Sequence, residues 1–302
     1  MTQTNSLRKL FERAPPSVTV VDVSARDGLQ AVPVVLAPEV RARWIRQVLE
    51  TGVPEVEAGS FVHPGRVPQM ARTDRVVKAL EPWRERIWVL VPNLRGVEEA
   101  VEAGCPNVVC LVSATETHSL ANLGRPVARV LDELRAMARE IDLAGMRARV
   151  ALSVAWLDPV EGPVPPERVL ALCRELLDMG FRELTLCDTV GGASPRAVAE
   201  LVTSAARHVP LEGLGVHLHD PFGTAPAAVL AAWLAGVARF DASLGGLGGC
   251  PVLPRPEGNL DMETLVRLLE GAGAATGVDL EGLAEARRAC LRALASPPEG
   301  NG

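Results

Sequence analysis

Residues 147–219 contain, in this order, RARVALSV (147–154), PERVLALCRELLDM (166–179), ELTLCD (183–188), PRAVAELVTSAARH (195–208) and GLGVHLH (213–219). The first, third and fifth runs are short and rich in Val and Leu, as β-strands are. The second and fourth are longer, and their apolar residues recur with the period of an amphipathic α-helix. The segment is therefore predicted to fold as strand, helix, strand, helix, strand, which is the repeating unit of a parallel sheet.

The same alternation extends over the rest of the chain. Further strands are predicted at 17–23, 55–60, 87–92, 107–113 and 239–244, and further helices at 38–50 and 127–143. Eight such units in about 250 residues are typical of a TIM barrel, whereas a doubly wound sheet usually has fewer strands and a dinucleotide fingerprint after the first. We therefore predict an α/β protein with a (β/α)₈ TIM barrel.

Helix boundaries in the sequence agree with this assignment. Ser194 is placed to cap a helix that starts with Pro195, and Gly52, Gly104 and Gly180 each follow a predicted helix just before the next strand. These are the residue types that begin and end helices. The predicted domain organisation is an N-terminal lead at 1–16 and a single barrel domain at 17–297, which includes a helical C-terminal extension at 280–295.

Composition narrows the class of protein. The 302 residues are 48% hydrophobic and carry 31 Lys+Arg against 37 Asp+Glu, for a net charge of -6 without a basic run. Nucleic acid is therefore not an expected partner. The six cysteines are unevenly spaced, and the sequence contains neither a signal peptide pattern nor an apolar stretch of transmembrane length. We expect a soluble cytoplasmic protein without a membrane partner.

Four polar residues lie at predicted strand ends that barrel closure brings side by side. Asp27 follows the first strand, His217 and His219 lie two apart near the end of the seventh, and Asn259 follows the eighth. Two imidazoles, a carboxylate and an amide oxygen can hold Mg²⁺ or Mn²⁺, and Zn²⁺ less well. The alternative for His-x-His alone is a structural pair, and the added Asp27 and Asn259 favour the metal site.

Two more residues have both a catalytic and a non-catalytic interpretation. Arg26 is either an ordinary ion-pair partner or, beside Asp27 at a strand end, a group that holds an oxyanion. Cys250 lies in GGLGGCP (245–251), so it is either an incidental thiol or a thiol that a mobile loop carries over a substrate. The same glycines match a phosphate-binding loop poorly, because no Gly-Lys-Ser/Thr follows them.

Together these residues resemble a known family. The chain resembles 3-hydroxy-3-methylglutaryl-CoA (HMG-CoA) lyase, of the DRE-TIM metallolyase superfamily, in RDGLQ (26–30), EAGSFV (57–62), VPQM (67–70), PN (92–93), CDTVG (187–191), VHLHD (216–220), GLGGCP (246–251) and GNL (258–260). The arginine-aspartate pair and the histidine pair are shared with isopropylmalate and homocitrate synthases. The Gly-Gly-Cys-Pro loop and Leu29 favour the lyase branch.

The resemblance implies cleavage of HMG-CoA to acetyl-CoA and acetoacetate by a homodimer that requires Mg²⁺ or Mn²⁺. It makes Asp27, His217, His219 and Asn259 the metal ligands, with Asp27 or His217 as the proton acceptor. Arg26 would stabilise the thioester enolate, and Cys250 would help to protonate the carbanion. The residues that match other catalytic, substrate-binding or supporting positions are Glu57, Gln30, Ser60, Asn93, Asp188 and Thr189.

Departures from the family leave the substrate and the direction of the reaction open. Ala31-Val32-Pro33 stands where these lyases usually have Asn-Glu-Lys, which motivates the hypothesis of a bulkier or less polar acyl group. A second possibility is an acyltransferase that condenses acetyl-CoA with a 2-keto acid, and a third is a barrel kept as a scaffold. The scaffold interpretation requires a lost catalytic residue, and the metal set, Arg26 and Cys250 are all present.

Overall fold

The eight predicted strands form a closed parallel barrel. The structure, a computed structural model, describes residues 4–249 and 258–295, with side chains from residue 8 onward. In chain order the barrel strands are β1 (Thr19–Asp22), β2 (Glu55–Ser60), β3 (Ile87–Leu90), β4 (Asn107–Ser113), β5 (Arg147–Ser153), β6 (Glu183–Asp188), β7 (Leu214–Leu218) and β8 (Arg239–Ala242). Each strand pairs with its neighbours in the sequence, and β8 closes on β1, so the (β/α)₈ TIM-barrel prediction is confirmed.

Helices surround the barrel. They are α1 (Thr4–Arg13), α2 (Pro38–Glu50), α3 (Thr73–Ala79), α4 (Leu94–Glu102), α5 (Glu116–Leu123), α6 (Val127–Leu143), α7 (Pro166–Asp178), α8 (Pro195–Ala205), α9 (Ala225–Leu234), α10 (Met262–Ala272) and α11 (Leu280–Ala295). The Ser194 side chain accepts from the Ala197 N–H and so caps α8 as expected. The predicted end of α8 at 208 is three residues too late, because the chain turns after Ala205.

Barrel closure fixes which strand ends meet. In the β1–β8 pair Thr19 lies opposite Arg239 and Val21 opposite Asp241, and in the β8–β7 pair Asp241 lies opposite His217. The carboxyl ends of β7, β8 and β1 are therefore neighbours, and the loops that follow them share one end of the barrel. In TIM barrels this end carries the active site.

The opposite end of the barrel is closed by charged side chains. Arg149 Nη2 contacts Glu55 Oε2 at 2.6 Å, and Arg239 Nη1 contacts Glu183 Oε2 at 2.7 Å. The Arg149 guanidinium also lies 4.0 Å from the centre of the Trp88 ring. Paired in this way, the buried charges remain compatible with the low-dielectric interior.

Three further elements lie outside the barrel. Helix α11, the predicted C-terminal extension, packs against α2. Helix α1 lies within the expected N-terminal lead, and its Phe11 ring meets Trp233 of α9 edge to face at 5.9 Å. After β5, Leu157–Asp158 pairs with Gly162–Pro163 as a short antiparallel ribbon. Across the described residues, no helix has both the length and the apolar character needed to cross a bilayer.

Candidate metal and active site

Three of the four predicted ligands converge at the carboxyl ends of β7 and β1. One ligand atom from each of Asp27, His217 and His219 lies within 4.8 Å of the other two. His217 Nε2 and His219 Nε2 are 3.1 Å apart, because residues two apart on a strand point the same way. Asp27 Oδ2 lies 3.8 Å from His219 Nε2, so a carboxylate and two imidazoles face one point.

The fourth predicted ligand, Asn259, also reaches this cluster. A bridge between His219 and Asn259 brings the two backbones together. The Asn259 amide donates from Nδ2 to Asp27 Oδ2 and to the Leu247 carbonyl, both at 2.9 Å. Its Oδ1 is buried and accepts no hydrogen bond from any described residue. A buried acceptor without a partner is costly, so this oxygen is suited to a ligand that the amino acids do not supply.

The ionisation of these residues suits a divalent cation. Burial raises the pKa of Asp27, but the charges of Arg26, His217 and His219 outweigh it and lower that pKa to about 2. Burial and the charge of His217 lower the pKa of His219 to about 4. At neutral pH the site therefore offers an anionic carboxylate, an unprotonated His219 and a free amide oxygen, which fit a hard or intermediate cation such as Mg²⁺ or Mn²⁺.

A single turn after β1 delivers both Arg26 and Asp27. Residues Ser24–Gly28 form one π-helical turn, in which the Gly28 N–H donates to the Val23 carbonyl at 3.1 Å. The Ser24 hydroxyl, bonded to the buried Asp22, also accepts from the Leu244 N–H at 2.7 Å. Such turns are frequent at functional sites, and here the turn is tied to the loop after β8.

The Arg26 guanidinium is held by two carboxylates. Its Nε donates to Glu57 Oε2 and its Nη1 to Asp27 Oδ1, each at 2.5 Å. Burial alone would lower the arginine pKa, but the two carboxylates outweigh it and raise the pKa above its ordinary value. Among the described residues, Arg26 Nη2 donates to no group, although the side chain lines the cavity. One N–H edge is thus left for a bound anion or developing oxyanion.

Sequence reasoning missed Asp241, which positions His217. Asp241 Oδ2 lies 3.2 Å from His217 Nδ1, and both side chains are buried. Burial lowers the pKa of His217, but the hydrogen bond and charge of Asp241 outweigh it and the net shift is upward. A carboxylate that binds the second nitrogen of a ligating histidine fixes its ring and tautomer. The available signal was the strand period, which turns Asp241 inward beside His217.

The other predicted substrate residues line or support the same cavity, which has a volume of about 770 Å³. Gln30, Ser60, Asn93 and Thr189 line it. Asn93 also caps α4 by accepting from the Gly96 N–H at 2.9 Å. The Asp188 carboxylate accepts from the N–H groups of residues 191, 192 and 193, so it holds the turn after β6. Predicted Cys250 lies outside the described residues.

Ala31, Val32 and Pro33 are not among the residues that line the cavity. The Val32 carbonyl instead accepts from the Gln69 side chain at 2.6 Å. No contact of this segment with the cavity therefore supports the hypothesis of a bulkier or less polar acyl group, and it stays a prediction.

Comparison with known proteins identifies relatives along nearly the whole chain. The HMGL-like family model matches residues 17–290. The chain is 41% identical over 278 residues to (R)-citramalyl-CoA lyase of Chloroflexus aurantiacus, covering 88% of each protein. It is 39% identical over 271 residues to hydroxymethylglutaryl-CoA lyase of Pseudomonas mevalonii, covering 89% of this chain and 90% of the relative.

Solved structures show the same likeness. The HMG-CoA lyase of Bacillus subtilis superposes with a TM-score of 0.90 at 36% identity, covering 95% of this chain and 97% of that one. An HMG-CoA lyase of Acinetobacter baumannii, solved with coenzyme A and 3-methylmalate, superposes with a TM-score of 0.87 at 31% identity. It covers 94% of this chain and 93% of that one.

Proposed function

Since this chain belongs to the HMGL-like family and is an enzyme of the HMG-CoA lyase type, we propose that it cleaves a 3-hydroxy-3-methylacyl-CoA ester in a divalent-metal-dependent reaction. The products are acetyl-CoA and a keto acid. The observation that carries the proposal is the convergence of Asp27, His217, His219 and Asn259 beside the free edge of Arg26. A metal-assisted retro-Claisen cleavage requires ligands for the cation and a hydrogen-bond donor to the developing oxyanion.

Each step of the proposed reaction has a role for particular residues of this chain. The substrate hydroxyl gives its proton to Asp27 or His217 and becomes a carbonyl, while the bond between C2 and C3 breaks. The electron pair of that bond moves into the thioester, and Arg26 Nη2 binds the enolate oxygen. The enolate carbon then takes a proton, for which Cys250 is the proposed donor. Asp27, His217, His219 and Asn259 would hold a divalent cation, which would supply Lewis-acid activation of the hydroxyl.

Two substrates differ by one methylene. HMG-CoA would yield acetoacetate, and citramalyl-CoA, which lacks the methylene next to the distal carboxylate, would yield pyruvate. The 41% identity to a citramalyl-CoA lyase favours including the shorter ester, and the 39% identity to an HMG-CoA lyase supports the longer one. Because one methylene in a pocket is worth only about 1–3 kcal/mol, measured kcat/KM must decide between them.

The test is acetyl-CoA release by the purified protein from each ester, with Mg²⁺ or Mn²⁺ and then with EDTA. We expect release that EDTA abolishes and added metal restores, and little release by Arg26→Gln. Metal-loaded, folded protein that cleaves neither ester would contradict the proposal. Release of free CoA from acetyl-CoA and a 2-keto acid would indicate the synthase alternative, and metal binding without either reaction would indicate the scaffold.

A further inference from the structure

Two arginines from distant parts of the chain meet at the rim of the active-site cavity. Arg66 lies in the loop after β2, and Arg125 lies in the loop between α5 and α6. Both line the cavity that contains Arg26 and the metal cluster. Arg66 Nη2 lies 3.7 Å from the place that a Cβ would take on Gly124, the neighbour of Arg125. The two guanidinium groups therefore belong to one side of the cavity, although 58 residues separate them in the sequence.

The backbone holds both residues in place. The N–H groups of Arg66 and Val67 donate to the His63 carbonyl, at 2.8 and 3.3 Å, which closes the turn that carries Arg66. Gly124 ends α5 in the left-handed conformation, with a φ of 70°, and this turns the chain toward Arg125. A residue with a side chain at 124 would be strained and would contact Arg66.

The charge at this rim is only partly compensated. Arg125 pairs with Glu133 through Nη1 and donates from Nη2 to the Pro92 carbonyl at 3.1 Å. The Arg66 side chain, in contrast, is exposed and makes no hydrogen bond or ion pair with any described residue. Burial, and then the positive charges of Arg66 and Arg129, lower the pKa of Arg125. Neighbouring like charges raise the free energy of the empty rim, and a bound anion relieves this repulsion.

The rim extends across the mouth of the barrel from the metal cluster. The cluster is built on β7, β8 and β1; Arg66 follows β2, the neighbour of β1, whereas Arg125 follows β4, which lies across the barrel from β8. A ligand that extends from the metal cluster to Arg125 must be elongated, with its reactive end at the cluster and an anionic group at the rim. The cavity wall also contains apolar side chains, among them Val62, Leu90 and Leu120, which suit an uncharged arm. An acyl-CoA has this form, with a thioester, a pantetheine arm and a phosphate-bearing nucleotide.

We propose that Arg66 and Arg125 form the site that binds the phosphate groups of the CoA ester. Guanidinium groups bind phosphate with paired, charge-assisted hydrogen bonds, and two of them on separate loops can contact one pyrophosphate from two sides. The inference rests on the proposed function, because it takes the substrate to be a CoA ester. The two loops that carry Arg66 and Arg125 would then determine the preference for CoA esters over shorter pantetheine esters.

The test measures binding by calorimetry, so it is independent of turnover. The ligands are CoA, dephospho-CoA and pantetheine, and the proteins are wild type, Arg66→Gln, Arg125→Gln, the double variant and Arg196→Gln. Arg196 is an exposed arginine on α8 that pairs with Glu200, so its loss makes the same charge change elsewhere. We expect the double variant to bind CoA at least about tenfold more weakly, with unchanged affinity for pantetheine and with Arg196→Gln equal to wild type.

Each outcome decides the inference. An equal loss for CoA and dephospho-CoA assigns the arginines to the pyrophosphate, and a loss for CoA alone assigns them to the 3′-phosphate. Unchanged CoA affinity in the double variant would overturn the inference, as would an equal loss for pantetheine or no CoA binding by the wild type. Arg66→Gln breaks no described contact, so it remains informative if Arg125→Gln fails to fold. Arginine-dependent CoA binding without cleavage of either ester would contradict only the proposed function.

Discussion

The Asn259 amide binds the Asp27 carboxylate through Nδ2, at 2.9 Å from Oδ2, and this leaves Asn259 Oδ1 buried without a donor. One side chain thus both orients a predicted metal ligand and offers another ligand atom. The two residues are 232 positions apart, and only barrel closure joins them.

Replacement of Asn259 by Ala should therefore weaken metal binding more than the loss of one ligand atom would. We expect Mn²⁺ affinity, measured by calorimetry or electron paramagnetic resonance, to fall about 10- to 100-fold, because Asp27 also loses its orienting bond. Asn122→Ala is the matched control for metal affinity, since Asn122 is exposed on another part of the cavity wall. Equal Mn²⁺ affinity for Asn259→Ala and wild type would remove Asn259 from the metal site.

Asp241→Asn tests the positioning of His217. The substitution keeps the shape of the side chain but removes the charge that holds His217 Nδ1 at 3.2 Å. Metal affinity is expected to fall about 10- to 100-fold, with a matching loss of kcat/KM at limiting metal. Saturating metal should restore part of the activity if Asp241 acts through His217. A loss of activity that no metal concentration reduces would assign Asp241 another role.

Asp22 is expected to make stability fall as the pH rises from about 4 to 6. Burial raises the pKa of Asp22 to about 6, outweighing the hydrogen bonds from Ser24, and the charge of Glu57 adds to the rise. In this window the folded state binds a proton that the unfolded state has released. Ionisation at higher pH therefore costs about 3 kcal/mol of folding free energy.

Asp22→Asn cannot ionise, so its unfolding free energy relative to wild type should rise by about 3 kcal/mol between pH 4 and pH 7.5. Urea unfolding across that range measures it. Asp74→Asn is the control. The hydrogen bond from Arg72 lowers the pKa of the exposed Asp74, so the unfolding free energy of this variant relative to wild type should instead fall slightly as the pH rises. A stability difference for Asp22→Asn that is independent of pH would contradict the assignment.

Much of the fold could be predicted because its signals are local. The strands at 55–60, 107–113 and 183–188 have the predicted bounds, and glycine or proline residues mark their starts. The π-helical turn that presents Arg26 and Asp27 was not predictable, since the Leu244 N–H that donates to Ser24 lies in the loop after β8, far along the chain. The strand period turns Asp241 inward but does not show its contact with His217, and the approach of Arg66 to residue 124 leaves no periodic signal. These contacts form between side chains that only the closed barrel brings together.

The five cysteines of the described residues should alkylate slowly in the native protein. The cysteines at 105, 110, 173 and 290 are buried, and burial raises the pKa of each to about 12, while Cys187 is also buried with a raised pKa. Iodoacetamide followed by peptide mass spectrometry identifies the modified site, and turnover is assayed in parallel. We expect modification at Cys250 to stop turnover, and Cys250→Ser to lower it severely with little change in metal affinity. Near-normal turnover by Cys250→Ser would return this thiol to an incidental role.

Gly248→Ala should damage the metal site through steric contact alone. A Cβ on Gly248 would lie 2.3 Å from Asn259 Nδ2 and 3.1 Å from the Gly28 Cα, so Asn259 must move away from Asp27. Gly104→Ala is the matched control, because Gly104 also has a positive φ, of 74°, but a Cβ there meets no atom within 4 Å. Backbone strain should cost each variant about 1 kcal/mol of stability, measured by urea unfolding, and the close contacts should make the loss larger for Gly248→Ala. Only Gly248→Ala should also lose Mn²⁺ affinity, because only its new methyl group displaces a predicted metal ligand. If the two variants bound Mn²⁺ equally well, the close packing of the glycine-rich loop on Asn259 would have no part in forming the site.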